Sequence, residues 1–311
     1  MLSKVAERMY WFARYLERVE NTARMVGVYD SLLFDLPKTV NISWYNLVMI
    51  NSADTAFSER YKVKDERNVV KFLLADLTNG NSLMVSLKAV RENVRTSRDV
   101  LPEEVWELTN ELYIYVKENI QNGINRKNRR EFLDHIIKGC QQINGLLGDN
   151  MSKDAGWQFI NLGRNLERAD MTSRILDSGS AALISALADN QELDATQVIW
   201  GHVLRSSSAA MNYRRTVRSV VNGPEVANFL LNDPQFPRSV AFCINKMDSS
   251  KKALPKAEFE ALDVIKSKLD VIYDDDSQLG ASFRDLINEL QVSLADLHFE
   301  FSKAWFAPKT S

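Results

Sequence analysis

The sequence predicts an all-α fold of roughly a dozen helices. It further predicts a tandem duplication of a helical-bundle unit with pseudo-two-fold packing. Three observations carry this. Apolar residues recur at three- and four-residue spacing along nearly the whole chain, which places them on one face of a helix. The 311 residues hold only 12 Gly and 7 Pro, and long segments run without either. No convincing stretch alternates strictly between apolar and polar residues, as a half-buried strand would.

The elements follow in order. Val5, Met9, Phe12, Leu16, Val19, Ala23 and Val26 form a first apolar stripe, and Pro37 closes that helix. Asn79-Gly80-Asn81 is a turn, after which Leu83, Leu87, Val90 and Val94 form a second stripe. Leu101-Pro102-Glu103-Glu104 opens a helix, because proline suits the first turn and acids favour a helix N-terminus. Gly148-Asp149-Asn150 ends another. Asn222-Gly223-Pro224 and Asn232-Asp233-Pro234 are breaks. Val264, Ile265, Leu269 and Ile272 form a third stripe, Asp274-Asp275-Asp276 a short acidic loop, and Phe283, Leu286, Leu290, Leu294 and Leu297 a fourth stripe.

The two halves match. Arg14-Tyr15-Leu16-Glu17-Arg18-Val19-Glu20-Asn21-Thr22-Ala23-Arg24 aligns with Arg164-Asn165-Leu166-Glu167-Arg168-Ala169-Asp170-Met171-Thr172-Ser173-Arg174, a shared R-x-L-E-R-x-[ED]-x-T-x-R at an offset of 150. Trp44 then aligns with Trp200, Ser52-Ala53 with Ser208-Ala209, Ser82 with Ser239 and Phe132 with Phe283, at offsets from 151 to 157. A collinear series of this kind implies two copies, residues 1–150 and 151–311. The period is far too long for a solenoid. The short junction near Gly148–Asp154 implies that the copies pack as one compact domain.

Charge narrows the function classes. With 39 Lys and Arg against 41 Asp and Glu, the chain lacks the basic surplus expected of a nucleic-acid binder. Two cysteines, Cys140 and Cys243, cannot form a disulfide framework and read as buried small hydrophobes in a reducing compartment. The first twenty residues carry charges every few positions, and nothing approaches the roughly 18 apolar residues of a membrane span. The expectation is a cytoplasmic protein with no membrane contact.

The repeated motif is the most informative feature. On one helix, Glu17, Glu20 and Arg24 share a face with Arg14 and Arg18 beside them. Arg164, Glu167, Arg168, Asp170 and Arg174 repeat the layout. One reading is a solvated face laced by ion pairs worth a few tenths of a kcal/mol each. The sharper reading is a buried polar network where the two helices meet, since a guanidinium can grip two carboxylates, or a carboxylate and another anion, at once. Glu17 and Glu167 are then weak candidates for acid–base catalysis, weakened further because neighbouring arginine lowers a carboxyl pKa. A second cluster is Arg91, Glu92, Asn93, Arg95, Arg98 and Asp99, with its three arginines on one face and no counterpart in the second half. Arg238-Ser239, after Pro237, reads as a helix start able to hold an anion. The histidines His135, His202 and His298 are isolated, and no metal-ligand spacing, phosphate loop or nucleophile elbow occurs, so neither metal nor cofactor is expected.

The opening S-x-V-A-E-R-x-Y-W-x-x-R-Y-L-E-R-x-E-N-T-A-R, the Arg91–Asp99 stretch and Asp233-Pro234-Gln235-Phe236-Pro237-Arg238-Ser239-Val240 together resemble the bacterial alpha-E family, which is all-helical. The resemblance covers nearly the whole chain. It implies association with circularly permuted ATP-grasp ligases and transglutaminase-like peptidases, hence amide or peptide-bond formation. It also implies that Arg14, Glu17, Arg18, Glu20 and Arg24, with Arg91, Glu92, Asn93, Arg95, Arg98, Asp99, Arg238 and Ser239, are the family's characteristic positions. Asp170 departs from the pattern by standing where the first copy has Glu20. Three functions remain open. One is a non-catalytic partner of such a ligase, binding it or an anionic peptide. Another is an enzyme using the Glu/Arg cluster on an amide or carboxylate. The third is an ion-pair core whose interaction surface lies elsewhere.

Overall fold

Short polar side chains set where many of the helices begin. Asp65, Ser82, Asn222 and Ser239 each accept a hydrogen bond from the backbone N–H three residues on, satisfying a donor that the first helical turn leaves free. The structure, a computed structural model, describes residues 3–35, 42–188, 193–269 and 271–307. Among these residues there is no strand.

The first half runs α1 (Ser3–Asp35), α2 (Asn46–Ile50), α3 (Asp54–Ser58), α4 (Glu66–Leu74), α5 (Leu83–Arg95), α6 (Glu103–Ile124) and α7 (Arg126–Asn150). The second runs α8 (Ala155–Ala188), α9 (Leu193–Ser206), α10 (Ala210–Thr216), α11 (Gly223–Asn232), α12 (Val240–Lys252), α13 (Glu260–Lys268) and α14 (Ala281–Phe301). A 3₁₀ turn, Asp276–Leu279, precedes α14, and a π turn, Ser302–Phe306, follows it. Each half contributes seven α-helices among the described residues, some counterparts alike in length and others not, since α6 has 22 residues where α13 has 9. α1 and α8 have 33 and 34 residues, and α5 and α12 have 13 each. Ser52 and Ser208, the residues aligned above, both adopt left-handed backbone, with φ of 49° and 54°. That region is sparsely populated by residues other than glycine.

Packing centres on the two long helices. α1 lies along α8; α5 and α7 pack on α1, while α12 and α14 pack on α8. α6 covers α7, and α13 covers α14. One apolar cluster runs through both halves, from Met9, Phe12 and Leu16 to Leu290, Leu297 and Phe301. Full burial of each such side chain contributes roughly 1.5–3 kcal/mol. The α1–α8 approach is close: a Cβ on Gly163 would stand 2.2 Å from the Tyr10 carbonyl oxygen. Only four residues, Met151–Asp154, separate α7 from α8.

The first, second and fourth sequence stripes lie on α1, α5 and α14 as expected, and Cys140 and Cys243 are buried free thiols. The third stripe fails. α13 stops at Lys268, and Val264 and Ile272 are exposed, so hydrophobic spacing there did not mark a helix face. The acidic loop is partly structured, because Asp275 caps the 3₁₀ turn in a reciprocal box with Gln278. Pro37 lies outside the described residues.

Candidate functional site

The two motif segments face each other across the α1–α8 contact. Arg14 Nε donates to Glu167 Oε2 at 2.8 Å, and Arg18 donates through Nε to Oε1 at 2.6 Å and through Nη2 to Oε2 at 3.1 Å. Glu167 is thus gripped by two arginines of the other helix, one of them bidentate. In the opposite direction, Arg168 Nε lies 2.9 Å from Glu17 Oε1. Arg238, in the turn before α12, supplies the second grip. Its Nη1 donates to Glu17 Oε1 at 2.7 Å and to Asn21 Oδ1 at 2.8 Å, and its Nη2 donates to Glu20 Oε1 at 2.9 Å. Arg24 Nη2 also donates to Glu20, at 2.5 Å, and Arg174 Nε to Asp170 at 2.9 Å.

Glu17, Glu20 and Glu167 are no more than 2% exposed. Burial alone would raise their carboxyl pKa, but Arg168 and Arg238 outweigh it at Glu17, and Arg18 and Arg14 outweigh it at Glu167. Both are held down at about 2. Arg164 has a different position. Burial and the neighbouring Arg168 pull it down to about 10, and its Nη2, like Glu17 Oε2, is buried without a hydrogen-bond partner. Counted together, seven guanidinium groups (Arg14, Arg18, Arg24, Arg164, Arg168, Arg174 and Arg238) stand among four carboxylates (Glu17, Glu20, Glu167 and Asp170). The network is strongly cationic for so enclosed a place.

Two expectations need correction. Arg238-Ser239 is not an open anion site at a helix start. Ser239 Oγ accepts from Phe242 N–H and so fills the first turn of α12 itself, while Arg238 turns to the carboxylates of α1. The Arg91–Asp99 cluster does not present its three arginines on one helix face: Arg91 and Arg98 meet on Trp106 and Arg95 stands apart. α5 ends at Arg95, so Arg98 sits in the following turn rather than on the helix face. Arg91 bonds Asn110 and lies over Trp106 and Tyr113, Arg98 lies 3.9 Å from the Trp106 ring centre, and Arg95 pairs with Glu92 in solvent. The Asn93 carbonyl accepts from Thr96 and Asp99 is exposed, so this stretch stands apart from the motif network.

Sequence reasoning missed several members. Asn81 accepts from Arg18, and Ser52 accepts from Arg174. Tyr10 bonds His298 Nδ1 at 2.8 Å and lies under Arg14. Arg129 is 1% exposed and gathers Asp30, Glu66 and the carbonyls of Gly123 and Ile124. The Asn79-Gly80-Asn81 turn was visible as a turn; nothing in its spacing announced a partner 63 residues away. No group of three or more metal-ligating His, Cys, Asp or Glu side chains occurs among the described residues.

A model of an α-helical domain with a conserved ER motif, Alpha-E, matches residues 1–306. The chain belongs to the Alpha-E family. Its ER pairs include Glu17-Arg18 and Glu167-Arg168, which form the contact described above; three others lie outside it. Similar proteins include an uncharacterized protein of Mycobacterium bovis and two of Mycobacterium tuberculosis strains. Each is 23% identical over 278 residues, covering 81% of this chain. The Alpha-E chain spans only 30% of the length of these curated relatives. No solved structure matches it. No described helix is long and apolar enough to cross a membrane.

Proposed function

We propose that this chain is a non-catalytic helical partner of an ATP-grasp-type ligase that forms amide or peptide bonds, holding the ligase, its anionic peptide substrate or both. The observation that carries this reading is the surplus of arginine around sealed glutamates. A general acid or base works best with a pKa near the operating pH and within reach of substrate. Glu17 and Glu167, buried and held at about 2, meet neither condition, which favours binding over the enzymatic alternative. Excess guanidinium suits carboxylate and phosphate ligands. The longer relatives, of which this unit is 30%, support a unit that works beside others. A transglutaminase-like peptidase is a second partner on the same reading.

The test is affinity purification of the tagged chain from its native host with mild crosslinking. An ATP-grasp ligase is expected in the eluate, and the purified chain alone should turn over no amide substrate. Absence of any ligase, or turnover by the chain alone, overturns the reading.

We further infer that residues 1–150 and 151–311 are duplicated copies packed about a pseudo-two-fold axis. The matched lengths of α1 with α8 and of α5 with α12, the paired left-handed serines and the exchange of arginines between Glu17 and Glu167 support it. Two buried free thiols support a reducing, cytoplasmic setting.

A further inference from the structure

The motif network ends in a cleft. Arg24, whose Nη2 holds Glu20, leaves its buried Nε without a partner and lines an opening of 310 Å³ where α1, α7 and α9 converge. Two more guanidinium groups line the same opening, Arg130 from α7 and Arg205 from α9. Both residues are exposed and enter no ion pair or side-chain hydrogen bond with another described residue. Two acids also line it. Asp30 is already taken by Arg129 at 2.6 Å, whereas Asp134 is exposed and pairs with no other described residue. Arg130 and Asp134 are spaced i,i+4 on α7, where a pair could form, yet no ion pair joins them. Leu133 and Ile137 give the cleft an apolar wall. Clefts that hold small molecules run from about 300 Å³ upward, with an apolar lining and a few convergent polar groups.

The geometry points to a binding site for an acidic amino acid, a glutamate-type dicarboxylate with a nitrogen donor beside its α-carboxylate. Arg130 and Arg205 each have a full fork free for a carboxylate, and Arg24 adds its positive charge at the wall of the cleft. Asp134 accepts the ligand's N–H. The short methylene body lies on Leu133 and Ile137. The ligand is either the free amino acid or the C-terminal residue of a peptide, since both present two carboxylates and a neighbouring nitrogen.

This deepens the binding role proposed above and rests on it only in taking the chain as a binding module. Titration calorimetry on the full chain tests it without any ligase, so failure here leaves ligase co-purification standing, and the reverse holds equally. The probes are L-glutamate, glutarate, L-glutamine and an N-acetylated tripeptide ending in glutamate. Binding of L-glutamate alone marks the free amino acid as ligand, and tighter binding of the tripeptide marks a peptide end. In either case the R130Q/R205Q double variant should weaken binding at least tenfold. D134N should bring glutamate down to the affinity of glutarate. Both variants change exposed residues, and an unaltered melting curve confirms that they fold. No binding of either glutamate probe, an unchanged affinity in the double variant, or glutamine binding as well as glutamate overturns the assignment.

Discussion

Glu17 and Glu167 are each held by the arginine that follows the other in the sequence: Arg18 sits 2.6 Å from Glu167, and Arg168 sits 2.9 Å from Glu17. The exchange fixes the register of α1 against α8. A slide of one helical turn, about 5.4 Å, would break both grips together. Apolar ridges tolerate small shifts at modest cost, whereas a carboxylate buried without its arginine does not. The network therefore specifies one arrangement of two helices whose apolar faces alone would allow several.

The first prediction concerns removal of one charge. Glu167→Gln leaves Arg14 and Arg18, 12% and 15% exposed, facing a neutral amide. Breaking a buried pair from one side costs about 3–5 kcal/mol. Urea unfolding should show a loss of that order. Adding Arg18→Met to the variant should cost less than the two single losses combined, because the second change removes a charge already stranded. A loss below about 1 kcal/mol would mean that solvent reaches this pair, as at surface salt bridges.

Two glycines should respond in opposite directions. Gly163→Ala drives a Cβ to 2.2 Å from a backbone oxygen of α1, and backbone cannot swing aside as a side-chain tip can. The long helices must part, at a cost of roughly 1–3 kcal/mol or more. Gly145→Ala, in α7, meets nothing within 4 Å. It should stabilise the protein by up to about 1 kcal/mol through helix propensity. Thermal melts of the two variants check the pair, and equal behaviour would contradict the close α1–α8 crossing.

Much of this arrangement was legible in the sequence, and the reasons differ by feature. The helices were legible because apolar period and capping residues act locally. The motif pairing was legible because the same charges recur at a fixed offset in two helices. Arg238 was singled out for the wrong role: a residue beside a capping serine resembles an anion site, and only the tertiary fold shows that α1 has already supplied the anions. Arg129 was invisible, since its four partners come from α1, α4 and the C-terminal end of α6. The stripe through Val264 and Ile272 failed because a three-to-four spacing over so few residues also fits an exposed turn.

Acid should unfold the protein in two overlapping stages. Burial and the nearby Arg205 lower His202 to about 3, and burial and Arg14 lower His298 to about 4, against an unfolded value near 6.5. Each stays neutral in the fold while the unfolded chain takes up a proton. Their contribution is therefore complete above about pH 6.5 and drains as pH falls toward 4 and 3. Glu17 and Glu167 sit at about 2 against 4.5 unfolded, so theirs is complete above about pH 4.5 and drains toward 2. Urea midpoints should fall gently from pH 6.5 and steeply below 4.5. A midpoint independent of pH from 7 to 3 would contradict the burial of Glu17, Glu167 and His202 and the half-burial of His298.

The two thiols supply a probe of whether the network opens. Cys140 and Cys243 are fully buried; burial raises both, Cys243 to about 12, and only a thiolate reacts readily. In the native protein, Ellman's reagent should find neither, while denaturant should release both. The residual native rate then measures local opening rather than chemistry. Cys140 lies within the field of Glu20 and Glu17, on the α7 side of α1, and Cys243 lies within that of Arg168 and Glu17, on the α12 side of α8. Glu17→Gln strands Arg168 between them and leaves Arg238 only Glu20 as its anion. Both thiols should therefore react faster in this variant, whereas a substitution at the exposed Arg95–Glu92 pair should leave both rates unchanged. Acceleration of one thiol alone would show that the two bundles open separately and that the α1–α8 network does not couple them.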